Sequence, residues 1–84
     1  TTLFRSDDIL KKRLQILGLR IAYFRKRRGL TQEQLADKAG MSWSYLAKIE
    51  ANNSDTPHAI SLEYLFAISD VLGIPVSRLF DDLD

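Results

Sequence analysis

Cysteine is absent from this 84-residue sequence, so neither disulfides nor thiolate chemistry is available and nothing points to an oxidising compartment. Histidine is nearly absent: His58 stands alone, with no second ligand type at metal spacing, and reads as a plain loop residue. No apolar run approaches the ~18 residues of a membrane span, and the N-terminal stretch has no h-region of a signal peptide. The expectation is therefore a soluble cytoplasmic protein that makes no use of a membrane. Paired carboxylates are missing as well, since the acidic residues are scattered. A hydrolase or transferase needs a nucleophile, a base and a stabiliser converging in a pocket, which a small helical domain rarely supplies. Enzymatic function is set aside on these grounds, and no cofactor, metal or small-molecule ligand is implied.

Excess charge is also lacking, because the net value is only +1. Its distribution is uneven. Residues 1–28 hold nine of the twelve basic residues and sum to +7, whereas residues 29–84 sum to −6. Such asymmetry can orient a protein over a polyanion even when the total is near zero. The plain alternative is a solvated amphipathic helix with basic outer positions.

Against these absences stands the stretch Thr31–Ile49, TQEQLADKAGMSWSYLAKI. Thr31 followed by Gln34 makes a capping box, in which a hydroxyl and an amide satisfy orphan N–H groups at a helix start. Leu35, Ala36 and Ala39 form one apolar face at helical spacing. Gly40 is placed to end that helix in the left-handed region, where glycine has no steric penalty. Met41 plugs the turn, Ser42 caps a second helix, and Leu46 and Ile49 are its inward face. Ala36 is small enough for the second helix to cross closely over it. Trp43, Ser44, Tyr45, Ala47 and Lys48 then point outward. A rigidly mounted, exposed helix of this kind is what a DNA major groove admits.

That segment, extended to the run Leu17–Glu50 and resumed at Ser61–Phe80, resembles the lambda-repressor/Cro-like (Xre-type) DNA-binding family. The resemblance implies an all-α, five-helix domain and a sequence-specific DNA-binding transcriptional regulator that pairs on double-stranded DNA as a homodimer. It implies that Gln32, at the start of the first helix of the motif, holds a phosphate together with the helix N-terminus. Ser42 is expected to join it in holding the backbone. Trp43, Ser44, Tyr45 and Lys48 fall where the family reads base edges, and lysine can donate to guanine O6 or N7. The two aromatics can instead lie on sugar or thymine methyls, or pack on the domain itself. Arg25 and Glu50 match a pair that in family members forms a structural ion bridge. Asn52, Asn53 and Ser54 could donate from the following loop, although Asp55 stands where basic residues often meet phosphates. The same fold also serves as a protein-interaction module, antitoxin-like or adaptor-like, with Trp43 and Tyr45 as anchors. Strong salt dependence of DNA binding separates the two readings.

The remaining pattern completes the architecture. Helices are expected near 7–28, 31–39, 42–51, 61–72 and 75–81, with no strands. Leu10, Leu14, Leu17, Ile21 and Phe24 make one apolar stripe on the first helix, where Gly18 permits a kink. Leu62, Leu65, Phe66, Ile68 and Leu72 are read as inward-facing, closed by Gly73, and Pro75 suits the first turn of a last helix. The expected core comprises Leu17, Ile21, Phe24, Leu35, Ala36, Ala39, Met41, Leu46, Ile49, Leu65, Ile68, Leu72, Leu79 and Phe80. Residues 1–16 form a helical extension, 17–80 the DNA-binding domain and 81–84 an acidic tail. The extension carries Leu3, Phe4, Ile9, Leu10 and Leu14, which need either a second copy or the chain's own Val76, Leu79 and Phe80 to cover them.

Overall fold

Four α-helices and one 3-10 turn account for the regular structure in the computed structural model, which describes residues 6–51 and 58–81. They are α1 (Ser6–Arg27), α2 (Gln32–Ala39), α3 (Trp43–Glu50) and α4 (Leu62–Leu72), followed by a 3-10 helix at Val76–Leu79. No strand occurs among the described residues. The fifth expected α-helix is thus a single 3-10 turn. Pro75 precedes it in extended conformation without a side-chain cap, and only four residues follow before the chain leaves helical geometry.

Local chemistry sets most boundaries. Thr31 Oγ1 accepts from Gln34 N while Thr31 N donates to Gln34 Oε1, so both halves of the capping box form. Gly40 ends α2 at φ 73°, and Gly73 ends α4 at φ 70°. Each N–H bonds back into the last turn, as a left-handed C-terminal residue allows. Ser42 and Ser61 cap α3 and α4 through their hydroxyls.

The core gathers Leu17, Ile21 and Phe24 of α1 with Leu35, Ala36, Ala39, Met41, Leu46, Ile49, Leu65, Ile68, Leu72 and Leu79. Phe80 does not join it and is 55% exposed. A 3-10 helix has three residues per turn, so Val76 and Leu79 share its inner face and Phe80 is turned away. Leu62 and Phe66 are likewise exposed rather than inward-facing. The buried face of α4 runs through Leu65, Ile68, Ser69 and Leu72. Ser69 is accommodated there because its hydroxyl donates to the Phe66 carbonyl at 2.8 Å.

Gly18 does not break α1, which runs from Ser6 to Arg27 as one helix, close to the expected 7–28. Instead α1 crosses the end of α3 there. A Cβ at Gly18 would lie 2.2 Å from the Ile49 carbonyl oxygen and 3.4 Å from Glu50 Cα. The glycine is what allows two helix backbones to touch.

Candidate nucleic-acid interface

The contact at Gly18 brings the end of α3 against α1 and places Glu50 beside Arg25. Arg25 Nε donates to Glu50 Oε2 at 2.9 Å and Nη2 donates to Oε1 at 3.0 Å. This is the two-point fork that a guanidinium makes with a carboxylate. Both residues are buried, at 8% exposure each. A third donor, Arg25 Nη1, reaches the Leu30 carbonyl at 2.8 Å and fixes the turn leading into α2. The expected bridge is therefore present, and it joins α1, α3 and the approach to α2 at one point.

Gln32 extends the network. Its Nε2 donates to Glu50 Oε1 at 3.0 Å, and its Oε1 accepts from the Trp43 indole Nε1 at 3.3 Å. A continuous chain of hydrogen bonds thus runs Arg25–Glu50–Gln32–Trp43. It ties the first residue of α2 to the first residue of α3. The family resemblance implies a phosphate-holding role for Gln32; its engagement with Glu50 and Trp43 has no local sequence signal, because the partners are distant in the chain.

The outer side of α3 divides in two. Ser44 and Lys48 are exposed, and their side chains make no hydrogen bond or ion pair among the described residues. Trp43 is 56% exposed despite its bond to Gln32. Tyr45 is only half-exposed: its hydroxyl donates to the Ala59 carbonyl at 3.3 Å, and its ring lies 5.4 Å from that of Tyr64. It fastens α3 to the approach to α4, the packing alternative among those open to the aromatics. Ser42 has its hydroxyl oxygen occupied by the Tyr45 N–H at 3.1 Å as the helix cap. Asn52, Asn53 and Ser54 lie outside the described residues. His58 is exposed, and no group of metal-ligating side chains is found among the described residues. Among the described residues no helix is long and apolar enough to cross a membrane.

Two short capped helices, joined through a left-handed glycine and tied at their starts by a hydrogen-bond network rooted in the buried Arg25–Glu50 pair, define a helix-turn-helix domain. The chain belongs to the helix-turn-helix family of the lambda-repressor-like, Xre type, whose family model matches residues 21–79. It is 39% identical over 67 residues to the HTH-type transcriptional regulator SinR of Bacillus subtilis, covering 80% of this chain and 58% of SinR. The backbone superposes on SinR in complex with DNA, described as the master regulator for biofilm formation, with TM-score 0.66 and 40% identity. That match covers 77% of this chain and 98% of the solved one. The restriction-modification controller protein C.AhdI of Aeromonas hydrophila matches at TM-score 0.72 and 30% identity, covering 80% and 96%. The chain spans little more than half the length of SinR.

Proposed function

We propose that this chain is a sequence-specific DNA-binding transcriptional regulator, acting in the cytoplasm as a homodimer with residues 42–51 as recognition helix in the major groove. The observation that carries it is the mounting of α3. Its inner residues Leu46 and Ile49 are buried, its start and end are fixed by the network through Arg25, Glu50 and Gln32, and Ser44 and Lys48 are left outward. A helix held at both ends presents its outer side chains in one register, which base reading requires. The DNA complex of SinR supports the same reading.

Roles follow from position. Ser44 and Lys48 contact base edges, while Gln32 and Ser42 hold the backbone at helix starts, where N–H groups and the helix dipole favour phosphate. Trp43 and Tyr45 border the groove, and Asn53 is assigned to the backbone. The structural pair Arg25 and Glu50 keeps both helices in place.

Selection of bound sequences from a random duplex library, followed by salt titration on the winning site, tests the reading. Affinity should fall steeply with salt, because phosphate contacts release counterions. Lys48→Ala should cost ~1–3 kcal/mol on the preferred site and relax preference at one position. Gln32→Ala should weaken all duplexes alike. Equal losses on preferred and random DNA for Lys48→Ala would make Lys48 a phosphate contact. Salt-tolerant binding to a protein, with no enriched duplex, would defeat the proposal.

A further inference from the structure

Trp43 and Gln32 belong to different helices, and their side chains meet at the tips. The Trp43 indole Nε1 donates to Gln32 Oε1 at 3.3 Å, while Gln32 Nε2 donates to Glu50 Oε1 at 3.0 Å. An indole N–H can only donate, and a carboxylate can only accept. Both bonds therefore form in a single orientation of the Gln32 amide, with its carbonyl toward Trp43 and its nitrogen toward Glu50. Turned over, the amide would set N–H against N–H on one side and oxygen against oxygen on the other. Glu50 is itself held at both oxygens by Arg25, so the reference point of this chain of bonds is buried and fixed.

After these bonds are made, the Gln32 amide retains one N–H. Gln32 is the first residue of α2, whose first-turn N–H groups find no partner within the helix, that of Gln34 being taken by Thr31. An anion placed there meets a donor, whereas the flipped amide would offer it an oxygen. Glu50 alone leaves the amide free to swing about one bond, and Trp43 supplies the second. Trp43 is 56% exposed and contributes little to the core, so its hydrogen bond, rather than its burial, is the feature to explain.

We propose that Trp43 is a positioning residue for DNA binding, whose indole N–H holds the Gln32 amide so that its remaining N–H meets a phosphate. The inference rests on the DNA-binding reading above. It gives Trp43 a role carried out through Gln32 and separate from base reading.

A double-mutant cycle tests it, using Trp43→Phe, Gln32→Ala and the double variant of the 84-residue chain. Affinity is measured by anisotropy of labelled duplexes, one carrying the selected site and one of random sequence. Phenylalanine keeps the ring and removes the N–H. Trp43→Phe should weaken both duplexes by about three- to tenfold, the scale of one neutral hydrogen bond, with no change in thermal melting. In the Gln32→Ala background the same substitution should change affinity less than about twofold, since the partner it acts through is gone. An equal loss in both backgrounds means that the indole meets DNA by itself and overturns the proposal. So does no loss in either, or a loss confined to the selected site. Trp43 is the sole tryptophan, so its emission reports the bond without DNA. Gln32→Ala should shift that emission, and an unchanged spectrum would mean that the bond is not made in solution. A wild-type chain with no salt-dependent duplex binding overturns the DNA-binding reading as well. An additive cycle in a chain that does bind overturns this inference alone.

Discussion

Arg25 and Glu50 are the residues whose loss the fold should feel most sharply among its polar ones. Both charges are withdrawn from water, with side-chain exposures of 10% and 3%, and each satisfies the other at two points. Removing one partner of a buried pair strands the other charge, at about 3–5 kcal/mol. Glu50→Gln keeps the shape and one acceptor oxygen, so a loss near the low end, about 3 kcal/mol, is expected in denaturant unfolding of the free protein. Arg78 and Asp81 provide the contrast: they lie 3.7 Å apart and are about half exposed. Asp81→Asn should change stability by less than ~1 kcal/mol, as surface pairs do. Coincident unfolding curves for Glu50→Gln and wild type would reduce the buried bridge to the standing of the surface one.

At the scale of elements, the decisive contact is α1 over the end of α3. Gly18→Ala is ordinarily favourable inside a helix, by up to about 1 kcal/mol. Here the added Cβ would lie 2.2 Å from the Ile49 carbonyl oxygen, which is backbone and cannot rotate aside. The helices must separate, disturbing Glu50 next in the chain. The sign should therefore reverse, with a loss of about 1–3 kcal/mol typical of overpacking. A higher melting temperature for Gly18→Ala would show that the crossing has room for a methyl group. The same crossing shows what a sequence can reveal. The capping box of Thr31 and Gln34, the glycine at 40 and the caps at Ser42 and Ser61 were legible because each is settled within a few residues. The apolar faces of α2 and α3 were legible through their period. Arg25 and Glu50 came from family resemblance, since nothing local joins positions 25 residues apart. Gly18 read as a kink because its purpose lies in another helix. Phe80 read as core, and Leu62 and Phe66 as inward-facing, because an apolar side chain announces a wish for cover, not whether an element stands above it. The hydrogen bonds of Gln32 were invisible for the same reason.

For the molecule as a whole, the open question is what covers the start of α1. The described residues extend 45 × 27 × 21 Å, and a 22-residue helix of about 33 Å accounts for much of the long axis. Leu14 and Leu17 lean toward the 3-10 turn, forming with Leu10 and Phe80 the walls of an apolar groove. Yet Ile9 remains 37% exposed, Leu10 56% and Phe80 55%. The chain's own last turn therefore covers part of the stripe and leaves its outer rows in water; Leu3 and Phe4 lie outside the described residues. One short recognition helix reads only a few base pairs, too few to find a site among many competitors, so pairing on half-sites ~34 Å apart is the usual remedy. Isologous packing of two such stripes would bury the exposed rows and bring two recognition helices into one assembly. Light scattering on the 84-residue chain and on a version lacking residues 1–13 decides the matter. The expected result is a dimer for the first and a monomer for the second, with matching helical content per residue by circular dichroism. Should both be monomers at high concentration, the extension only thickens its own domain. Pairing would then fall to the face around Phe80 or to the DNA, and the spacing of half-sites would have to be fixed by the duplex alone.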